Sequence, residues 1–285
     1  MFAQPIDVVL AGGPVRLYSA GPADGPPILL LHGAMLDTAE LSWGVVGPRL
    51  AERHRVYAID LPRHGGSRPW LGPVGQVRLE AVVDGLLAEL GVDRIQLIGL
   101  SMGAGVALGY LLRHPERVSS AILIAPGGLE SRRPLQFLTW VALNTPRLMR
   151  LTTAYLSASP TTVRRSMAMA LRHGSGTTSF DRIVELAQQE ARSKRRRHEP
   201  ALDDWQVLAY GPRRMRLNFQ PELGAVSVPT LWVRGDGDPL VSQVDLDAAA
   251  AATPGSVTAV VADAGHLVPL DQPETLLALI TGFSG

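Results

Sequence analysis

Short uninterrupted apolar runs, each stopped by a cluster of Gly, Pro or Asp, alternate along this chain with longer stretches whose apolar positions recur every three or four residues. The runs are PPILLLHG at 26–33, RVYAIDLP at 55–62, RIQLIGLS at 94–101, SSAILIAPGG at 119–128, PTLWVRGDGD at 229–238 and SVTAVVADAGH at 256–266. Segments so short and so apolar read as strands buried on both faces, the first ending at Leu31. Residues 6–10 and 14–20, split by Ala11-Gly12-Gly13, read as a hairpin. Helical spacing predicts helices near 40–52, 76–90, 102–113, 242–252 and 273–283. Strand and helix in alternation imply an α/β protein, a mostly parallel sheet covered by helices on both faces.

The alternation fails between Gly128 and Val228, where no comparable β run occurs. Helices are expected instead at 134–144, 146–157, 160–173, 178–197 and 203–210, separated by Thr145-Pro146, Pro160, Gly174-Ser175-Gly176 and Glu199-Pro200. The expected organisation is a core in two parts, 1–129 and 221–285, with a helical cap inserted at 130–220. Open α/β sheets bind ligands beyond the carboxyl ends of their strands, so an insertion there is placed to act as a lid.

Charge sharpens this division. The chain carries 27 basic and 26 acidic side chains, yet residues 132–217 hold 16 basic and only 6 acidic ones. A basic lid over an acidic core suggests attraction between the two that salt would weaken. Arg192, Lys194, Arg195, Arg196 and Arg197 close a predicted helix, where cations suit the helix dipole; an anionic partner is the sharper reading of the same run. The 285 residues fit one large domain with an insertion, and the absence of cysteine removes disulfides and a thiol nucleophile from consideration. There is neither a leader-like N-terminus nor an apolar run long enough to span a bilayer, so a cytoplasmic protein without a transmembrane segment is expected. No nucleic-acid recognition fold is present.

Candidate chemistry gathers at the ends of the predicted strands. Gly99-Leu100-Ser101-Met102-Gly103 lies between a strand and a small-residue helix, the context in which a serine sits exposed on a sharp turn with backbone N–H groups beside it. Serine needs a base and an acid that orients it. His266 follows the last strand, and Asp238 follows the strand before it, with Asp236 the competing acid. A developing oxyanion would be met by the N–H of Met102 and by that of Ala34, less readily Met35, in His32-Gly33-Ala34-Met35; His32 reads as a brace for that loop. Pocket candidates are Met35, Phe137, Trp140, Met167, Trp205 and Leu267. Neither metal-ligand spacing nor G-x-G-x-x-G occurs, so no cofactor and no metal are expected.

With these residues in view the chain resembles the α/β-hydrolase superfamily, in its helical-cap branch of esterases, C–C hydrolases and cofactor-free perhydrolases. LLLHG at 29–33, AIDLPRHGGS at 58–67, GLSMG at 99–103, RHPERV at 113–118, GDGDP at 235–239 and AGHLVPLDQPE at 264–274 carry the resemblance. It implies a triad of Ser101, His266 and Asp238, an oxyanion hole at Ala34 and Met102, and a cap that governs substrate choice. Arg63 stands where the family usually has glycine, and Leu100 and Leu267 differ from the asparagine and tryptophan usual in ring-cleavage C–C hydrolases.

The function expected is hydrolysis of an apolar carboxylic ester or lactone through an acyl-enzyme. Its rivals on the same triad are a lyase, cyclase, acyltransferase, C–C hydrolase or perhydrolase. A ligand receptor with vestigial catalysis is the rival of another class.

Overall fold

The computed structural model describes residues 4–283. Its eight strands form one sheet in the order β1-β2-β4-β3-β5-β6-β7-β8. The hairpin of β1 (Ile6–Leu10) and β2 (Gly13–Ala20) lies at one edge, with β2 antiparallel to β4 (Arg55–Ile59). From β4 onward β3 (Pro27–Leu31), β5 (Ile95–Leu100), β6 (Val118–Ile124), β7 (Thr230–Gly235) and β8 (Val257–Val261) are all parallel. The two-residue period of a strand divides the core between the two faces. Leu29, Leu31, Leu97 and Leu123 join one buried cluster, whereas Ile28, Leu30, Ile98 and Ile124 join the other.

Helices cover both clusters: α3 (Gln76–Leu90), α4 (Met102–Arg113) and α10 (Gln243–Ala252) pack on the first, α1 (Ala39–Trp43), α2 (Val46–Leu50) and α12 (Pro273–Phe283) on the second. The single helix expected near 40–52 is two. Pro48 has no N–H to donate to the Gly44 carbonyl, so a continuous helix would lose that bond; as the third residue of α2 it loses nothing. Between β6 and β7 come α5 (Gln136–Leu143), α6 (Pro146–Ala158), α7 (Pro160–Ala170), α8 (Phe180–Arg196) and α9 (Asp204–Ala209), and α11 (Val268–Asp271) precedes α12. The expected helices in this stretch are all present; α6 is one residue longer at its C-terminal end and the other four are shorter by one to three residues at one or both ends.

Chain order reverses between β3 and β5, because the chain goes from β3 out to β4 and then crosses back to β5. The loops leaving β3 and β5 therefore diverge and open a crevice. Two glycines fix how close the elements around it lie. A Cβ on Gly103 would sit 2.3 Å from the Leu31 carbonyl oxygen, and one on Gly99 would sit 2.5 Å from the Gly103 carbonyl. Both obstacles are backbone. Gly103→Ala is therefore expected to cost about 3 kcal/mol or more through overpacking, read as a fall in the urea midpoint. Gly282→Ala, where a Cβ meets nothing within 4 Å, serves as the control and should be neutral or slightly stabilising. Equal midpoints for the two variants would contradict the close approach of α4 to β3.

Candidate active site

Ser101 occupies the single residue between β5 and α4, at φ 54° and ψ −110°, a conformation that costs a side-chain-bearing residue on the order of 1–3 kcal/mol. Hydrogen bonds on both sides hold it there: Ser101 N–H donates to the Ile124 carbonyl at 2.8 Å, and the Ser101 carbonyl accepts from Gly105 N at 3.0 Å and Gly127 N at 3.1 Å. The side chain faces two cavities, of about 310 and 510 Å³, whose walls both include Ser101, His266 and Ala34.

His266 lies in the loop after β8, its N–H donating to the Ala170 carbonyl at 2.9 Å. Its Nδ1 is 3.1 and 3.0 Å from the two Asp238 carboxylate oxygens. Asp238 Oδ1 also accepts from Leu240 N at 2.7 Å and Val241 N at 3.2 Å. Burial alone would raise this carboxyl, but the His266 and backbone hydrogen bonds outweigh it and hold the group below its ordinary value. Asp236 does not face the imidazole; it accepts from Ala264 N at 3.3 Å. Asp263 lies 2.8 Å from His173 instead.

The loop after β3 is held between two carboxylates. Asp37 accepts from Gly33 N at 2.6 Å, Thr38 N at 2.8 Å and the Ser42 hydroxyl at 2.6 Å. Burial pushes its carboxyl up to about 6, against those three bonds. Asp203 accepts from Met35 N at 2.6 Å across 168 positions of sequence. Ala34, between them, donates to nothing among the described residues, and neither does Met102 N. His32 braces the loop from beneath: it is fully buried, with Nδ1–H on the Gly33 carbonyl at 2.7 Å and Nε2 accepting Leu61 N at 2.9 Å. Burial, then the neighbouring His64, hold its pKa well below the ordinary imidazole value.

Asp203 belongs to a charged seam between the core and the helical segment. Its Oδ1 receives Lys194 Nζ at 2.6 Å, and His64 Nε2 lies 3.2 Å from Oδ2, the oxygen that accepts Met35 N. Burial would raise the Asp203 carboxyl, yet His64 and Lys194 drive it far below the usual range. Arg68 is paired with Glu190 and Glu199, and Arg63 with Asp204 at 2.7 Å. Arg63 takes φ 66°, the left-handed backbone that glycine would supply, so the loop keeps its turn while the side chain gains the ion pair.

The polarity of this seam reverses the expectation of a basic lid attracted to an acidic core. The helical segment contributes the acids, Glu190, Glu199, Asp203 and Asp204, and the core contributes Arg63, His64 and Arg68. Net charge is dominated by exposed groups, whereas a buried contact admits only paired ones. The anticipated polarity does occur on the exposed rim, in Arg182 with Glu40 and Arg172 with Asp263. Lys194 is also no part of a solvated run: it is 1% exposed, while Arg192, Arg195, Arg196 and Arg197 face outward. In the sequence, Lys194 stands out only as the one lysine among 26 arginines.

The larger cavity is walled by Met35, Leu41, Met167, Met169 and Leu267, the smaller by Trp205, Tyr210 and Met215, and both by Gln206 and Leu240. Phe137 and Trp140 line neither, which corrects the pocket expected from the sequence. Thr139 and Leu143, one turn apart, are the α5 residues in the smaller cavity's wall; Phe137 is exposed and Trp140 packs on its ring at 5.9 Å. Helical periodicity turns Thr139 and Leu143, and not Phe137 or Trp140, toward the cavity. Gln206 and Leu240 carry no sequence signal of their own.

A strand-turn-helix serine, a histidine paired with a buried aspartate and a crevice at the reversal of strand order together define a hydrolase of the α/β class. The family model described as alpha/beta hydrolase fold matches residues 26–273, and the chain belongs to that family. The chain is similar to carboxylesterase YbfK of Bacillus subtilis (strain 168), 24% identical over 278 residues that make up 95% of this chain and 84% of that one. It is 34% identical to 2-hydroxymuconate semialdehyde hydrolase of Pseudomonas sp. (strain CF600) over 128 residues, 43% of this chain and 44% of the other. Among solved structures, the 2-hydroxy-6-oxo-6-phenylhexa-2,4-dienoate hydrolase of Rhodococcus sp. strain RHA1 shares the fold at TM-score 0.78, with 19% identity and 99% of each chain covered. The protein is an enzyme, a hydrolase.

Cutting the seam should be costly. Lys194→Met leaves a buried carboxylate short of its cation and is expected to lower stability by about 3 kcal/mol, with part of the loss recovered in Lys194→Met/Asp203→Asn. Exposed Arg195→Met should change it by less than about 0.5 kcal/mol in the same urea titration. Equal effects of the two single changes would contradict the buried Lys194–Asp203 pair that backs the seam.

Proposed function

We propose that the enzyme hydrolyses uncharged carboxylic esters or lactones through a Ser101 acyl-enzyme. The observation that carries the reading is His266, set on both oxygens of Asp238 and sharing the wall of both cavities with Ser101. His266 Nε2 takes the Ser101 proton as Oγ attacks the carbonyl carbon, and Asp238 keeps Nδ1 protonated and offsets the imidazolium charge. The oxyanion is received by Ala34 N–H and Met102 N–H, aided by the N-terminal end of α4. His266 then returns its proton to the leaving alkoxide, and water, activated by the same imidazole, releases the acid.

Residues 130–220 act as the cap in this reading. The larger cavity, with its methionines and leucines, takes an apolar acyl chain; thioethers adapt to irregular shapes. The smaller receives the alcohol portion. Its one arginine, Arg133, is paired with Glu130, so among the described residues neither cavity offers an uncommitted arginine or lysine to a carboxylate substrate. This favours neutral esters over the acids that ring-cleavage hydrolases process.

A panel of p-nitrophenyl esters from acetate to palmitate tests the proposal, with turnover expected to peak at a medium acyl length. Ser101→Ala should lower kcat by about 10³ or more, Asp238→Asn by about 10³–10⁴, and Asp236→Asn by less than about tenfold. Undiminished turnover in Ser101→Ala, or a larger effect at Asp236 than at Asp238, would overturn it.

A further inference from the structure

Residues 131–180, fifty consecutive positions covering α5, α6 and α7, contain seven arginines and no Asp or Glu. Arg133 and Arg164 find acidic partners, and Arg172 lies near Asp236 and Asp263. Arg132, Arg147, Arg150 and Arg165 form no ion pair among the described residues. The same stretch is unusually apolar on its outside. Of the 18 large hydrophobic side chains exposed among the described residues, seven fall between 135 and 155.

Helical geometry separates the two sides of these elements. On α6, Met149 and Thr153 are buried, whereas Leu148, Leu151 and Tyr155, at the i, i+3, i+7 spacing of one face, are exposed. Leu151 and Tyr155 are 66% and 63% exposed, and Arg147 lies one turn before Leu151. On α5, Thr139 and Leu143 line the smaller cavity, while Phe137, Leu138 and Val141 are exposed. On α7, Met169 is 73% exposed and also walls the larger cavity, so that cavity reaches the surface on the helix that carries Arg165.

We propose that this outer face of the cap docks onto an anionic phospholipid bilayer, with arginines at headgroup level and the leucine, phenylalanine and tyrosine side chains in the outer part of the acyl region. An exposed apolar stripe flanked by unpaired cations is the composition that lies in a membrane interface. Each arginine near such a surface strengthens the attraction to anionic headgroups. A second copy of the chain is disfavoured as the occupant, since a two-fold contact would set this acid-free surface against itself. The consequence for substrate rests on the ester-hydrolase reading: a docked cap puts the mouth at Met169 beside the bilayer, so acyl substrates would enter from lipid. The docking itself does not rest on that reading.

Sedimentation of the full chain with vesicles provides the test, using phosphatidylcholine alone and phosphatidylcholine with about one third phosphatidylglycerol. Partitioning should be at least ~10-fold stronger on the anionic vesicles and should fall in ~0.5 M NaCl. Arg147→Glu/Arg150→Glu should remove more than ~10-fold of it, and Leu138→Ser/Leu151→Ser a comparable share, with p-nitrophenyl acetate turnover unchanged. Equal partitioning on both vesicle types, or none at low salt, would overturn the proposal. So would a dimer in sedimentation velocity that Leu138→Ser/Leu151→Ser dissociates, which would assign the face to a second copy. Vesicle binding by a chain that fails to turn over any ester would leave the docking intact and refute only the hydrolytic reading.

Discussion

Ser101 must stand in a backbone conformation that a serine avoids, and much of the fold exists to hold it there. The turn is over-determined: its N–H is tied to β6, its carbonyl to Gly105 and Gly127, and the two flanking glycines let α4 lie against the β3 and β5 backbones with no side chain between. A strain of a few kcal/mol is tolerable only when so many contacts would be lost by relaxing it. The same closeness brings the loop after β3 against the serine, where an ideal Cβ on Gly33 would be 3.7 Å from Ser101 Cβ. The relation of the proposed nucleophile to the proposed oxyanion donors is thus set by core packing.

The position of Ala34 has a second determinant, outside the core. Asp37 holds the N–H of Gly33 from one side, and Asp203, which arrives with the helical segment, holds that of Met35 from the other. Lifting that segment as a body would break the Met35 bond and separate Asp203 from His64, and would also part Arg68 from Glu190 and Glu199. Buried charged pairs resist being broken singly, since each leaves an unpaired ion behind. In the proposed mechanism, opening of the cap and loss of a well-placed oxyanion hole are therefore one event. α5 and α6 contribute none of the seam's bonds, whereas α7 is tied to the core through the Ala170 carbonyl, which accepts His266 N–H.

The sequence made the sheet and the loops at its edge legible because each depends on local pattern. Apolar runs closed by Gly, Pro or Asp located β3 to β8, and chain order placed Ser101, Asp238 and His266 at one edge. Asp238 could be preferred to Asp236 only by its place in the loop, and the structure sets it on His266. Lys194, His64 and Asp203 were not legible. They form a contact between two stretches far apart in sequence, His64 lying 139 positions from Asp203, and nothing in a run of basic residues shows that one of them turns inward. The reversed polarity of the seam was hidden for the same reason, because counting charges weighs the exposed arginines of α6 to α8 as heavily as the few acids that are buried. Phe137 and Trp140 neighbour Thr139 and Leu143, the α5 positions that face the smaller cavity, and which face of a helix meets a cavity depends on packing with distant elements.

The proposed chemistry depends above all on Ser101, activated by His266, as the nucleophile. The most direct measurement is intact-mass and peptide mapping after reaction with a p-nitrophenyl alkylphosphonate, whose tetrahedral adduct forms on an activated serine. One adduct per chain is expected, on Ser101, forming at least ~10³-fold more slowly in His266→Ala. An adduct on another serine, or a labelling rate indifferent to His266, would contradict it.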